Sequence, residues 1–254
     1  MFPYRDENVT LRTPVVTFAL IGLNVLAWLL VQGAGMGEAL PASVCNFGLI
    51  PGELTLQARP GSGAPIGPGL MCLVDPGRAP ENILYSMFMH GSWMHLLGNM
   101  WFLWLFGNNV EDSMGRGRFV VFYLLCGLAA ALTQVLANPD SVVPMVGASG
   151  AISGVMGAYI LLFPHARVFT LLVLGFFVTS LALPAWVMLG YWMVLQLLGS
   201  LGGAESGVAF GAHVGGFVAG LALIKLFVRS DYLARHKAHH WRPRHVGFQR
   251  RHWR

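Results

Sequence analysis

Charged residues are scarce in this sequence. Asp, Glu, Lys and Arg make up 11% of its 254 residues, whereas soluble domains carry about 25%. Hydrophobic residues make up 55%, and the mean hydropathy is +0.60. The uncharged stretches between the charge clusters are long enough to cross a lipid bilayer, which takes about 20 residues. The composition therefore excludes an ordinary soluble enzyme and indicates a membrane protein.

Cysteine and acidic residues are missing where several functions would need them. The three cysteines are too few for a disulfide framework, and neither CxxC nor a His/Cys metal-ligand spacing occurs. The long apolar stretches contain no Asp or Glu, which a proton or cation pump usually places at mid-membrane. We therefore predict no metal, no cofactor and no ion pumping.

The distribution of basic residues predicts the membrane topology. Nine of the 16 lie between Lys225 and Arg254, behind the last apolar stretch, which is typical of a cytoplasmic tail rather than of a nucleic-acid-binding surface. With six spans, 14 basic residues are inside and only Arg59 and Arg78 are outside. We therefore expect both termini in the cytoplasm of a bacterial cell, with the protein in the inner membrane.

These patterns predict an all-α membrane protein with three regions along the chain. Residues 1–13 are a cytoplasmic N-terminus, residues 14–228 a bundle of six transmembrane helices, and residues 229–254 a basic cytoplasmic tail. Within the bundle, the Gly- and Pro-rich residues 35–80 are expected to form a long irregular outer loop. The expected spans lie at residues 14–34, between 81 and 111, and at 119–137, 149–163, 184–201 and 207–228.

Two of the predicted helical regions are unusual in length. The fourth helix, from Ser149 to just before Pro164, has about 15 residues and is only about 22 Å long. The 37 residues from Val168 to Ala204 carry no charge, which is too many for one span. Because a second span there would place the basic tail outside, we predict one span that begins at Pro184. An interfacial or re-entrant segment over residues 168–182 precedes it.

Polar side chains at bilayer depth are costly and therefore mark candidate functional sites. Ser149 and His213 are each about 12 to 16 residues from the cytoplasmic end of their helices, so both lie roughly 18 to 24 Å above it. Small residues surround both and allow two helices to approach closely. A hydroxyl and an imidazole at equal depth on touching helices can act as nucleophile and general base. The polar residues of the apolar stretches are Asn24, His90, His95, Asn99, Gln134, Ser149, Ser153, Gln196 and His213.

His95 and Asn99 are a second candidate pair. They are four residues apart on the second helix, so they share one face. Both can donate hydrogen bonds to a developing oxyanion. Taken singly, small-residue motifs are more often plain helix packing, and Asn99 and Gln196 more often join helices structurally. The equal depth of the serine and the histidine favours catalysis.

Three motifs at these positions resemble the rhomboid family of intramembrane serine proteases. They are HGSWMHLLGN (His90–Asn99), GASGAISG (Gly147–Gly154) and GAHVGGFVAG (Gly211–Gly220). Each is weak alone, but in this order and spacing they are highly specific, and the resemblance covers residues 14–228.

The resemblance implies particular roles for these residues. Ser149 corresponds to the family nucleophile and His213 to its base, without a third acid. His95, Asn99 and the backbone N–H of Ser149 correspond to the oxyanion donors, and Gly216 and Gly220 match close-packing glycines. Many members carry an aromatic residue where this chain has Ser153, so the orientation of His213 would need another contact. The outer loop also lacks the Trp-Arg pair of many members.

The resemblance predicts a serine endopeptidase that cleaves single-span transmembrane proteins near the outer membrane interface. Its partners would be such substrates and membrane lipid, with no nucleic acid and no metal. One alternative is an inactive rhomboid-like protein that binds membrane clients, which the intact Ser149 and His213 disfavour. Another is a metalloenzyme using His90, His95 and His213, but the spacing of the first two does not align ligands on one helix face.

Two cysteines are expected in the outer loop. Cys45 and Cys72 lie there on the oxidising side of the membrane, so we hypothesise a disulfide between them. Cys126 lies within the third predicted span.

Overall fold

The structure, a computed structural model, describes residues 1–59, 61–67, 69–75, 80–201 and 208–240. The chain is mostly helical. The helices are α1 (Val15–Leu30), α2 (Ala39–Phe47), α3 (Pro51–Leu54), α4 (Asn82–Tyr85), α5 (Trp93–Met114), α6 (Arg116–Ala137), α7 (Ser149–Leu162), α8 (Ala185–Leu201), α9 (Phe210–Phe227) and α10 (Ser230–His240). The strands are β1 (Phe2–Asp6), β2 (Gly63–Gly67), β3 (Leu70–Leu73), β4 (Arg167–Leu174) and β5 (Phe177–Pro184).

Each predicted span overlaps one of the longer helices, namely α1, α5, α6, α7, α8 and α9. The fourth of these, α7, has 14 residues and is the shortest, as the sequence predicted. Within the described residues, α6 and α9 are both long and apolar enough to cross a membrane, whereas α1, α7 and α8 are apolar but shorter. The predicted start of the sixth span at Gly207 and residues 241–254 of the predicted tail lie outside the described residues.

The outer loop over residues 35–80 is not irregular, so that prediction is wrong. It contains α2, α3 and a hairpin of β2 and β3. Gly69, at positive φ, lies in the hairpin turn, and Pro51 is the first residue of α3, so the Gly- and Pro-rich sequence supplies turns and a helix start. The hypothesised disulfide between Cys45 and Cys72 is present and joins α2 to β3. The loop therefore has a small core of its own.

The second long helix begins later than predicted. α5 begins at Trp93, so His90 lies before the helix and not within it. Ser92 caps the start of α5. Its hydroxyl accepts a hydrogen bond from the backbone N–H of His95, at 3.1 Å. This is the usual N-cap interaction. His95 therefore lies in the first turn of α5, and Asn99 one turn further along.

Glycines let α7 and α9 pack with their backbones almost in contact, as the sequence predicted. A Cβ atom on Gly216 would overlap the carbonyl oxygen of Gly150, and one on Gly220 would overlap that of Gly154. Because no side chain separates the helices at these positions, residues at equal height on α7 and α9 lie within hydrogen-bonding distance.

The predicted all-α fold is wrong in two regions, the outer-loop hairpin and a second sheet. Strands β1, β4 and β5 form an antiparallel sheet in the order β1-β4-β5, and residues 168–182 lie in its β4–β5 hairpin. The segment is rich in β-branched and aromatic residues, which favour strands, and Gly175 at positive φ lies between the two strands. The indole N–H of Trp101 on α5 donates to the carbonyl oxygen of Pro3, at 2.7 Å, so the sheet is held against α5.

Charged residues join the start of α1 to the end of α5. The Glu111 carboxylate accepts hydrogen bonds from the backbone N–H groups of Val16 and Thr17, where the helix dipole favours negative charge. Arg12 donates to Asp112, at 2.7 Å, and its guanidinium lies 3.6 Å from the centre of the Tyr232 ring on α10. Residues from both ends of the chain therefore meet at one end of the bundle.

Candidate active site

Ser149 and His213 form a hydrogen-bonded pair. The Oγ of Ser149 and the Nε2 of His213 are 2.8 Å apart. Ser149 is the first residue of α7, and His213 lies in the first turn of α9. The prediction that the two side chains are level on touching helices is confirmed. A hydroxyl donating to a neutral imidazole nitrogen at this distance can lose its proton to that nitrogen.

Gly147 lets the imidazole of His95 approach the serine. Its φ of +128° is rarely adopted by other residues, and a Cβ atom there would collide with the Nε2 and Cε1 atoms of His95. The Nδ1 of His95 accepts a long hydrogen bond from the N–H of Gly91, at 3.4 Å, so its proton is carried by Nε2. The Nε2–H group therefore borders the space in front of Gly147 and Ser149.

Asn99 is held by a chain of polar contacts that begins at Gln32, just after the end of α1. Its amide nitrogen is 3.0 Å from the Nε2 of His90, which therefore accepts a hydrogen bond. The side chain of Gln32 bonds both backbone groups of His90, accepting from the N–H at 2.8 Å and donating to the carbonyl at 2.7 Å. His90 and Gln32 are fully buried. One of the two hydrogens of the Asn99 amide is thus engaged, and the amide is fixed in orientation.

Gln196 on α8 contacts His213 from the side opposite Ser149. Its Oε1 is 2.7 Å from the Nδ1 of His213, and the ring of Trp192, one turn earlier, lies 5.9 Å from the imidazole at an angle of 40°. Sequence reasoning noted Gln196 as a polar residue in an apolar stretch but assigned it no role in the site. A polar side chain in an otherwise apolar stretch was the available signal.

Ser153 does not contact the imidazole as the aromatic residue in many family members does. Its hydroxyl donates to the carbonyl oxygen of Ser149 on the same helix, at 2.6 Å, and the side chain is fully buried. The aromatic neighbours of His213 are Trp192 on α8 and Phe210 on α9. The sequence analysis predicted that another contact orients His213 in place of the missing aromatic residue. In the structure, this contact comes from α8.

The comparison with known families agrees with this geometry. Residues 80–230 match the family model described as the rhomboid domain, which is more than half of the chain and includes Ser149 and His213. The chain belongs to the rhomboid family. Rhomboid proteins are integral membrane proteins, which explains the apolar composition of the sequence.

Several curated proteins are similar to this rhomboid. The mitochondrial Rhomboid protein 1 of Saccharomyces cerevisiae is 34% identical over 143 residues, which are 52% of this chain and 41% of the yeast protein. The Rhomboid protease GluP of Bacillus subtilis is 30% identical over 207 residues, 82% of this chain and 34% of its own length. Rhomboid-like protease 5 of Toxoplasma gondii is 30% identical over 159 residues, 60% of this chain and 17% of its own. The rhomboid chain therefore spans less than half the length of these relatives.

A cavity of about 530 Å³ lies close to the serine–histidine pair of this rhomboid. Val146 and Phe210, each three residues before one member of the pair, line it, whereas Ser149 and His213 do not. His95 and Gly91 line one side, and Pro41 and Val44 of the outer-loop helix α2 line another. A backbone bridge between Leu49 and Met145 ties the loop to the segment that precedes α7. The disulfide-linked outer loop thus forms a wall of the cavity.

Two of the three histidines of the metal hypothesis are hydrogen-bonded to other side chains. Both ring nitrogens of His213 are engaged, by Ser149 and Gln196, and the Nε2 of His90 is engaged by Asn99. Among the residues that the structure describes, no group of three or more His, Cys, Asp or Glu side chains is arranged to hold a metal ion. The geometry favours an acid–base role for His213.

Proposed function

We propose that this rhomboid is an intramembrane serine endopeptidase in which Ser149 is the nucleophile and His213 the general base. The observation that carries the proposal is the 2.8 Å contact between the Ser149 Oγ and the His213 Nε2. A serine hydroxyl is a weak nucleophile unless an adjacent base removes its proton. The matched family and the protease-named relatives support the same chemistry.

The proposed reaction has two steps. In the first, the Ser149 oxygen attacks the scissile carbonyl carbon while His213 takes its proton. The tetrahedral intermediate then collapses, His213 protonates the leaving amine, and an acyl-enzyme remains. In the second step, water attacks the ester with His213 again acting as base, which releases the new carboxyl group and restores Ser149. No metal or cofactor takes part.

The oxyanion of the intermediate would be stabilised from two helices. Ser149 lies at the N-terminus of α7, where backbone N–H groups lack intrahelical partners and attract negative charge. The Nε2–H group of His95 borders the same space. Asn99 would donate the amide hydrogen that His90 does not engage, and its fixed orientation limits the reorganisation needed during reaction.

We propose single-span membrane proteins as substrates. A hydrogen-bonded helix hides its carbonyl groups, so the substrate must unwind locally before Ser149 can attack. The cavity between His95 and the outer loop could accept such an extended segment, and Gly or Pro in the substrate would favour unwinding. Because this cavity lies on the side of the outer loop, cleavage is expected near the outer interface.

We also propose that α1, α5, α6, α7, α8 and α9 are six membrane spans, with both termini in the cytoplasm of a bacterial cell. The contact between Arg12 and Tyr232 supports an even number of spans, because it brings the two ends of the chain together. A reporter that is active only in the cytoplasm, fused after Arg254, should be active. Activity solely of a periplasmic reporter at that position would contradict this topology.

A fluorophosphonate probe tests the proposed function directly. The probe should label the purified protein, and peptide mapping should place the label on Ser149, because such probes react with serines activated by a base. The Ser149→Ala variant should not be labelled, whereas Ser153→Ala should be. Absence of labelling in the folded wild-type protein would favour the client-binding alternative instead.

A further inference from the structure

The contact between α8 and His213 adds a component to the site. We propose that Gln196 is a positioning residue that holds His213 in the tautomer and orientation needed to take the proton from Ser149. This inference rests on the proposed function, which treats His213 as the base. It assigns a role in catalysis to α8, which contributes neither the serine nor the histidine.

The orientation of the Gln196 amide follows from its two neighbours. Its Nε2 is 3.4 Å from the carbonyl oxygen of Trp192 on the same helix, and its Oε1 is 2.7 Å from the Nδ1 of His213. A carbonyl oxygen only accepts hydrogen bonds, so the amide nitrogen must face Trp192. The amide oxygen must therefore face His213, where it can only accept.

This orientation fixes the tautomer of the imidazole. Because the Oε1 of Gln196 only accepts, the Nδ1 of His213 must carry a proton and donate it. A neutral imidazole has a single N–H proton, so the Nε2 presents a lone pair. That nitrogen faces the Ser149 hydroxyl at 2.8 Å. The opposite tautomer would place an N–H group against Ser149 and could not accept the proton.

The surroundings of the ring restrict it further. Trp192 and Gln196 occupy successive turns of α8 and contact the imidazole together. Phe210 meets the ring edge-on from α9, at 6.4 Å and 90°. Since Ser153 bonds to its own helix, the orienting contacts at this site come from α8 rather than from α7.

In a serine protease triad, a carboxylate fixes the orientation and tautomer of the histidine and also stabilises its positive charge. Gln196 would provide the first of these effects but not the second, because its amide is neutral. When the proton moves from the Ser149 Oγ to the Nε2 of His213, the Nδ1 proton stays on the ring and its hydrogen bond to the Gln196 Oε1 strengthens. Removing the amide should therefore cost less than the about 10⁴-fold loss seen when a triad carboxylate is replaced. We expect a loss of about 10- to 100-fold in kcat.

The kinetic experiment compares three variants of the full chain in liposomes. Gln196→Met keeps the side-chain volume but removes the acceptor, and it should lower kcat about 10- to 100-fold with KM nearly unchanged. Gln196→Glu restores an acceptor for the Nδ1 proton and should recover most of the loss. Leu197→Met, at the exposed neighbouring position, is the matched control and should behave as wild type. Wild-type kcat in Gln196→Met would overturn the proposal.

A spectroscopic experiment tests the predicted tautomer of His213 directly, without measuring cleavage. Nitrogen NMR of protein labelled with ¹⁵N-histidine should show His213 protonated at Nδ1 in the wild type, and a mixture of tautomers in Gln196→Met. A wild-type His213 protonated at Nε2 would overturn the proposal even if the variant fails to fold. If the wild type shows the Nδ1–H tautomer but neither cleaves substrate nor reacts with a fluorophosphonate, the proposed protease function fails and the positioning contact stands.

Discussion

Replacing Ser149 by alanine is expected to abolish proteolysis, in detergent and in liposomes alike. Its hydroxyl is the one held 2.8 Å from His213, at the N-terminus of α7, where backbone N–H groups attract developing negative charge. Loss of a serine nucleophile typically lowers turnover by about 10⁶-fold. Cleavage of a single-span substrate, followed by gel electrophoresis, measures the effect.

Ser153→Ala is the matched control for this prediction. Ser153 lies one turn along the same helix, about 6 Å deeper, and its hydroxyl bonds to the carbonyl oxygen of Ser149. Losing that hydrogen bond costs about 1 kcal/mol of stability but leaves the serine–histidine pair in place. Ser153→Ala should therefore retain measurable cleavage. An active Ser149→Ala protein together with an inactive Ser153→Ala protein would reverse the assignment of the nucleophile.

The second large effect is expected at the oxyanion donors. Losing one donor typically costs about 10²- to 10³-fold in turnover, so Asn99→Ala and His95→Ala should each lower kcat by that factor with little change in KM. For His95 the reason is direct, since its Nε2–H group borders the space in front of Ser149. Asn99 is expected to contribute because its bond to His90 holds the amide in a fixed orientation, which leaves its second hydrogen available for the oxyanion.

A purely structural role for His95 and Asn99 makes a different prediction. If they only tie α5 to its neighbours, the variants should lose thermal stability together with activity. Measurements of kcat, KM and melting temperature on the same preparations separate the two roles, with Met94→Ala, at an exposed position of α5, as the control. A rise in KM at unchanged kcat would exclude the oxyanion role.

Much of the helical architecture could be predicted from local patterns. The uncharged stretches and the turn residues around them located the long helices to within a few residues, except for the start of α5, and Ser149 was correctly expected at the start of the short α7. The depth of Ser149 and His213 followed from counting residues to the charged helix ends, because the helical rise is constant. Glycines 216 and 220 indicated the close contact between α7 and α9, since only glycine allows such an approach.

The errors arose in two segments whose structure also depends on contacts with other parts of the chain. Residues 168–182 are predicted to be an interfacial or re-entrant segment, but they pair with each other in the β4–β5 hairpin, and β1, more than 160 residues earlier, adds the third strand. The outer loop is folded because the Cys45–Cys72 disulfide joins α2 to β3. Strand pairing depends on contacts that a local window does not contain.

Composition, residue spacing and motif order establish from the amino-acid sequence that this is a helical membrane protein with a serine and a histidine level on touching helices. They could not show that Asn99 is oriented by His90 and Gln32, or that Gln196 bonds the second nitrogen of His213. These contacts join the segment after α1 to the segment before α5 and to α5 itself, and they join α8 to α9. Which polar side chains meet across helices depends on how each helix is rotated and tilted in the bundle, and packing sets that rotation and tilt.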